Sequence, residues 1–357
     1  MRIDLVARSD RSRLVEIAAP LVALIAAMAI GGLLVALLGK SPVQAFFVYF
    51  VDPLMESWSL QELAVKATPL VIIAVGLCFC FRANLWNIGA EGQFILGGAM
   101  GGWIALLTHG GAGGWWILPA MLLTGALAGL AYALIPALLR VWLGVSEILT
   151  SLMLVYIAQF FLDYMVRGPW RDPKGFNFPV TVNFADAATL PQLFDGGRMH
   201  AGVLIAIVVA LVAALVFSRS LFGYEVRLVG AAPRAARFAG FDDRRLTISV
   251  FAISGALAGL AGIVEVSGQI GQLQPSISPG YGFTAIIVAF LGRLSPIGIV
   301  VAGLVLALTY IGGESAQVAM RLPFYLTGAF QGILLMCVLA ADVFTRYRLS
   351  VQFGRAA

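Results

Sequence analysis

The sequence predicts an all-α, polytopic transmembrane helical bundle of about ten spans, and three observations predict it. Of 357 residues, 61% are hydrophobic and only 11% are charged, where a soluble chain has roughly 25% charged and about 45–50% apolar residues. The mean hydropathy is +0.95. The apolar stretches are continuous rather than alternating, so they suit helices and not the strands of a membrane barrel. A nucleic-acid binder is excluded despite a pI near 9.3. The excess of 23 Lys and Arg over 18 Asp and Glu is small and reads as loop charge that orients the chain.

Spans are expected at residues 14–38, 63–81, 92–108, 116–139, 147–165, 202–218, 247–266, 283–292, 296–312 and 324–343. The first follows Arg2, Arg8, Arg11 and Arg13 and is longer than a signal-peptide core, so it reads as a retained helix. An even number of spans puts both termini on one side. With that side cytoplasmic, the inner segments also hold Arg82, Arg140, Arg219, Arg227, Arg234, Arg237, Arg244, Arg245, Arg293, Arg346, Arg348 and Arg355. Only Lys40, Lys66, Arg167, Arg171, Lys174, Arg198 and Arg321 fall on or near the outer side, the asymmetry expected of cytoplasmic termini. The organisation is then a cytoplasmic segment 1–13, a transmembrane domain 14–345 and a cytoplasmic tail 346–357.

Two spans are interrupted. Residues 283–292 reach only about 15 Å as a helix against a hydrocarbon core of roughly 30 Å, and Gly292-Arg293-Leu294-Ser295-Pro296 follows them. Spans two and three are separated by the polar run from Arg82 to Glu91. One interrupted segment in each half of a chain points to a transporter's substrate path; the alternative is an ordinary cytoplasmic loop in each place. The outer loop from Val166 to Ala201 contains Pro169, Pro173, Pro179 and Pro191 and reads as structured but not helical, either a surface for a partner or a plain connection. In the inner loop, Pro233 suits the first turn of a helix, the alanines its body and Gly240 its end. That gives a helix of about two turns with Arg234 and Arg237 three apart on one side, fit to press into a groove on a partner; the alternative is a basic loop that only sets orientation.

Catalytic constellations are absent. Gly32 and Gly39-Lys40-Ser41 have six residues between the glycines, where a phosphate loop needs four. No Gly-x-Ser-x-Gly turn or His-Glu-x-x-His occurs, and His109 and His200 are the only histidines. Cys78, Cys80 and Cys337 lie in apolar runs and read as packing thiols. Intramembrane acids usually mark function; Glu91, Glu147, Asp163 and Glu265 are the candidates. Glu147 also suits the start of its helix, and Glu265 sits near an interface. Glu91 is accompanied by Asn84, Trp86, Asn87 and Gln93, amide and carboxylate groups beside an indole. These suit a ligand with hydroxyls and a flat ring, unless they satisfy one another and the broken backbone.

Asn84-Leu85-Trp86-Asn87-Ile88-Gly89-Ala90-Glu91-Gly92-Gln93 and Ser146-Glu147-Ile148-Leu149-Thr150-Ser151-Leu152-Met153 resemble segments of the permease subunits of bacterial ABC importers for nucleosides and simple sugars. Residues 223–240 and Pro279-Gly280-Tyr281-Gly282-Phe283-Thr284-Ala285-Ile286 resemble further stretches of the same group. The likeness runs from about residue 60 to about 345, and the Gly-rich segment 280–303 is shared with ribose-type and branched-chain amino acid permeases.

The resemblance implies a permease in the bacterial cytoplasmic (inner) membrane that binds no cofactor itself. It implies a cytoplasmic ABC ATPase carrying ATP and Mg²⁺, a second and unlike permease subunit, and an extracytoplasmic substrate-binding protein. The substrate pathway is expected at Asn84, Trp86, Asn87, Glu91, Gln93, Glu147, Thr150, Phe283 and Thr284. ATPase coupling falls to Pro233, Arg234, Ala235, Arg237, Phe238 and Gly240. The family commonly has a polar residue before the proline. Ala232 stands there in this chain, removing a cap worth about 1 kcal/mol. The competing reading is an ion-coupled carrier working alone, with Glu91 or Glu265 as its ion site.

Overall fold

A computed structural model describes residues 2–7, 13–111, 113–194, 196–323 and 325–352. Arg8, Arg11 and Arg355 of the expected inner charge lie outside the described residues. In chain order the elements are β1 (Arg2–Ala7), α1 (Arg13–Leu37), α2 (Pro42–Phe46), a π-helical turn (Phe47–Val51) and α3 (Asp52–Met55). Next come α4 (Ser57–Arg82), α5 (Ala90–Leu107), α6 (Ile117–Leu143), α7 (Glu147–Arg167), α8 (Gly202–Arg219), α9 (Leu221–Ala231) and α10 (Pro233–Phe238). The chain continues with α11 (Asp243–Glu265), a second π-helical turn (Val266–Ile270), α12 (Tyr281–Leu291), α13 (Pro296–Met320), α14 (Tyr325–Arg346) and β2 (Tyr347–Gln352).

Every expected span coincides with a helix, and 7 helices among the described residues are long and apolar enough to cross a membrane. The architecture is a polytopic helical bundle. α5 is not among the seven, because its glycines, Glu91 and Gln93 dilute its apolar character. Residues 42–55, left between spans by the sequence reading, form a shorter apolar helical stretch. Ser41 accepts from the Gln44 amide at 3.4 Å ahead of Pro42, a capping signal that marks the start.

The chain divides into two compact units, Met1–Glu56 with Leu308–Ala357, and Ser57–Ala307. In the first, α1 packs against α14, and Val35, Val48, Tyr49, Ala316 and Met320 share its core. The terminal segments, expected as plain tails, pair as an antiparallel ribbon with Ile3 opposite Val351 and Leu5 opposite Leu349.

In the second unit α11 packs against α4, α5 and α6. Gly97 of α5 and Gly129 of α6 both lie against the Gly259 backbone so closely that a Cβ on either would overlap it. This is small-residue packing by which membrane helices associate without a hydrophobic driving force between them. Contacts of Glu147 with Arg140 and the Trp86 amide, of Arg82 with Phe217 and of Gly230 with the Arg82 carbonyl gather Arg82, Arg140, Glu147 and Arg219 at one basic end, with α9 and α10 beside them.

At the opposite end, the loop between α7 and α8 is hydrogen-bonded to the segment following α11. The amide of Leu190 donates to the Ser267 carbonyl at 3.0 Å, that of Phe184 to Gly271 at 2.8 Å and that of Thr181 to Leu273 at 3.0 Å. From there residues 271–280 re-enter the bundle along α5, with Leu273 beside Gly102, Ile277 beside Gly98 and Gly282 against Glu91. At the helical rise of α5 this is a descent of about 16 Å. α12 completes the crossing. The expected short span is therefore the helical half of a broken span, and its extended half is a segment that the sequence reading left unassigned.

Candidate functional site

The polar run after α4 folds into a closed knot. Asn84 takes the left-handed conformation (φ 57) that turns the chain, a conformation asparagine tolerates better than most residues. The Asn87 side chain is wholly buried. Its amide nitrogen donates to Gln93 Oε1 at 2.9 Å and to Ser254 Oγ at 3.0 Å. Its oxygen accepts from Gln93 Nε2 at 3.0 Å and from the Gly89 amide at 3.1 Å. The full capacity of a side-chain amide is used.

Glu147, at the first turn of α7, pairs with Arg140 and accepts from the Trp86 amide at 3.3 Å. The Ile88 amide donates to Ser151 Oγ at 3.2 Å. Unwound backbone within a membrane protein must find such partners. The Trp86 ring lies 5.8 Å from Phe290 and 5.2 Å from Phe81. Thr150 donates back to the Ser146 carbonyl at 2.9 Å, and Thr284 is buried in α12.

Glu91 differs. Its carboxylate accepts from the Gly282 amide at 2.6 Å, and it lines a cavity of about 210 Å³. Gly282 sits so close to the Glu91 backbone that no Cβ could be accommodated, so the glycine lets α12 begin against α5. Of the nine expected pathway residues, Glu91 and Phe283 line this cavity. Asn84, Trp86, Asn87, Gln93, Glu147, Thr150 and Thr284 do not. The other polar lining, missed by sequence reading, is Tyr156, Gln159, Ser276 and Ser278. Gln159 carried a readable signal, a lone amide at the centre of an apolar span.

At the basic end the expected helix is present. α10 starts at Pro233 after Ala232, which supplies no side-chain cap, and Gly240 follows it in the left-handed region (φ 84). Arg234 is exposed, Phe238 is 94% exposed, and Arg237 pairs with Asp243 at 2.6 Å. Partial burial, reinforced by the nearby Asp242 charge, raises the Glu225 carboxyl on α9 above its ordinary value. Gly230 of α9 lies against the Arg82 carbonyl. The Arg82 guanidinium stands 4.4 Å over the Phe217 ring, and its Nε donates to the Leu294 carbonyl at 2.8 Å. Leu294 and Arg293 both take left-handed conformations (φ 53 and 54) in the break between α12 and α13.

Comparison with known proteins places these features in context. The family model described as "Branched-chain amino acid transport system / permease component" matches residues 59–339. The chain is 38% identical to the glucose ABC transporter permease protein TsgB13 of Haloferax volcanii, over 94% of this chain and 90% of that protein. It is 29% identical to the guanosine ABC transporter permease protein NupP of Bacillus subtilis, over 87% and 89%. It is also 29% identical to the nucleoside ABC transporter permease protein NupB of Lactococcus lactis, over 83% and 84%. No solved structure matches the chain.

Proposed function

This chain belongs to the family of branched-chain amino acid transport system permease components, and we propose on that footing that it forms the membrane path through which an ATP-driven importer carries a nucleoside or a simple sugar. It is a multi-pass protein of the cell membrane. Relatives named for glucose, guanosine and nucleosides, each alike over most of its length, support this reading over an ion-coupled carrier. In this reading a separate cytoplasmic ATPase, with ATP and Mg²⁺, supplies the work, and an extracytoplasmic binding protein delivers the solute. A second, unlike permease faces the exposed flank of α7, where Met153, Ile157 and Phe160 are uncovered. The basic end is cytoplasmic, in keeping with its arginines.

The observation that carries this reading is continuity from an exposed helix to the cavity. α10 presents Arg234 and Phe238 to the ATPase. α9 rests on the foot of α4 through Gly230, and Arg82 there holds the Leu294 carbonyl. Pushing α9 and α10 thus moves the feet of α4 and α12 together. Because α12 carries Phe283 and its first turn holds Glu91, that motion opens the cavity alternately to the two faces, a rigid-body shift of packed helices.

The test is the energy source. In cells deleted for this chain, restoring it should restore uptake of radiolabelled guanosine or glucose. That uptake should survive an ionophore and stop on ATP depletion. Uptake lost to the ionophore with ATP held constant would install the ion-coupled carrier instead.

A further inference from the structure

We infer that the cavity beside Glu91 binds one uncharged, hydroxyl-bearing ring, gripped by Tyr156 and Gln159 of α7 against the side chain of Phe283. The inference rests on the permease reading and assigns what that reading leaves open, namely which part of the solute this subunit recognises.

Position supplies the first argument. Gln159 lies about 18 Å along α7 from its first residue, near the middle of a hydrocarbon core roughly 30 Å thick. Tyr156 is one turn earlier on the same edge, and Asp163, paired with Arg167 at 2.7 Å, continues that polar edge towards the far end of the helix. Both side chains are exposed on the inner-facing edge of α7 in this chain, and among the described residues neither the Tyr156 hydroxyl nor the Gln159 amide has a hydrogen-bond partner. Polar groups at this depth are expensive unless a watery cavity or a ligand answers them. Both line the cavity.

The lining then defines the ligand. Gln159 offers donors and an acceptor on one planar amide, Tyr156 a hydroxyl that both gives and takes, and Glu91 and Ser276 further oxygens. These are the partners that vicinal hydroxyls require, and Phe283 adds an apolar face for the ring. No Lys, Arg or His lines the cavity. A phosphate or carboxylate would enter beside the Glu91 carboxyl with no positive group to replace its lost hydration, so phosphorylated sugars, nucleotides and amino acids are refused. The volume of about 210 Å³ lies below the roughly 300–1,000 Å³ of pockets for drug-sized ligands. The cavity therefore holds one ring at a time. A hexose fits this description, as does the ribose of a nucleoside.

Cysteine accessibility in the assembled complex tests the site independently of the binding protein. Gln159→Cys is made in a Cys337→Ser background, since Cys78 and Cys80 are buried, and labelled with a membrane-impermeant thiol reagent. Labelling should occur. It should slow about tenfold at solute concentrations about ten times Kd for at least one of ribose, glucose and guanosine. Ribose 5-phosphate, glucose 6-phosphate, guanosine 5′-phosphate and leucine should give no protection. Absence of labelling, no protection by any neutral solute, or equal protection by a phosphate or by leucine each overturns the inference. Uptake by the unmodified complex is measured in parallel. ATP-dependent uptake of a neutral solute alongside an unprotected cysteine discards this site and keeps the permease reading, whereas uptake of leucine alone discards both.

Discussion

Arg82 donates from Nε to the carbonyl oxygen of Leu294 at 2.8 Å, joining the foot of α4 to the turn after α12. The Cys78 thiol donates to the same oxygen at 2.8 Å. One side chain of α4 is thus a brace on the second break, while the chain just beyond it forms the first. A hydrogen bond to a charged group contributes about 1.5–3 kcal/mol, and a cation over an aromatic ring about 0.5–1 kcal/mol more. Arg82→Met is expected to lower the stability of the purified subunit by about 2 kcal/mol and to uncouple the complex, so that ATP hydrolysis persists while uptake falls. Arg82→Lys keeps the charge but not the planar fork, and should recover only part of the loss. Hydrolysis and uptake declining together, in step with protein amount, would reduce Arg82 to a brace without a coupling role.

Asn87 and Glu91 lie one turn apart, yet their substitutions should behave differently. Asn87→Ala strips partners from Gln93, Ser254 and the Gly89 amide in a fully buried place, and each unsatisfied group costs about 1–3 kcal/mol. The amount of folded protein in the membrane should fall, with normal transport per molecule in what remains. Glu91→Gln keeps an acceptor for the Gly282 amide and should leave the amount unchanged while altering the apparent KM for uptake. Quantitative immunoblotting beside initial-rate uptake separates the two, and an altered apparent KM for Asn87→Ala at normal abundance would assign that residue to the pathway after all.

The contrast between these residues explains what was legible in the sequence. Long apolar runs gave the helices, because backbone groups in a membrane leave few alternatives. Pro233 and Gly240 marked α10 through local backbone preferences that tertiary contacts do not override. The polar run 84–93 was legible as special but not as to its use. An amide that binds a ligand and one that ties off a broken backbone are the same residue type, and only the partners at Gln93 and Ser254, the latter 167 residues away, tell them apart. The re-entrant segment 271–280 was left unassigned for a related reason: its Gln, Ser and Pro carry no apolar run, and it packs along the glycine face of α5.

His200 predicts a pH dependence at the end opposite α10. It is 1% exposed, its Nδ1 accepts from the Gly202 amide at 3.1 Å, and its Nε2 has no partner among the described residues. Burial alone lowers it from 6.5 to about 4. The opened loop binds the proton more tightly than the closed one, so the closed form has its full stability above pH about 6.5 and loses it as pH falls towards about 4. The whole shift is worth up to about 3 kcal/mol. Between pH 7 and pH 5, hydrogen exchange of peptides covering residues 189–203 should slow by less than the intrinsic exchange rate does, and His200→Gln should remove that difference. An unchanged profile in the variant would locate the sensitivity elsewhere.

α10 separates contact from architecture. Arg237 is tied to Asp243 at 2.6 Å, so Arg237→Glu would set two carboxylates together at the start of α11 and disturb the fold as well as any partner contact. Arg234 and Phe238 are exposed and can be changed with little effect on the subunit itself, within about 0.5 kcal/mol. Arg234→Glu with Phe238→Ala should therefore leave the amount and thermal stability of the chain unchanged while reducing co-purification of the ATPase and abolishing uptake. An aromatic anchor and an arginine are the residue types whose truncation at an interface most often costs about 2 kcal/mol or more; together that predicts a loss of affinity of about a thousandfold. If the doubly changed chain still retains its ATPase and transports at the normal rate, α10 is a basic surface turn that orients the chain and nothing more, and the work must enter through a different part of the basic end.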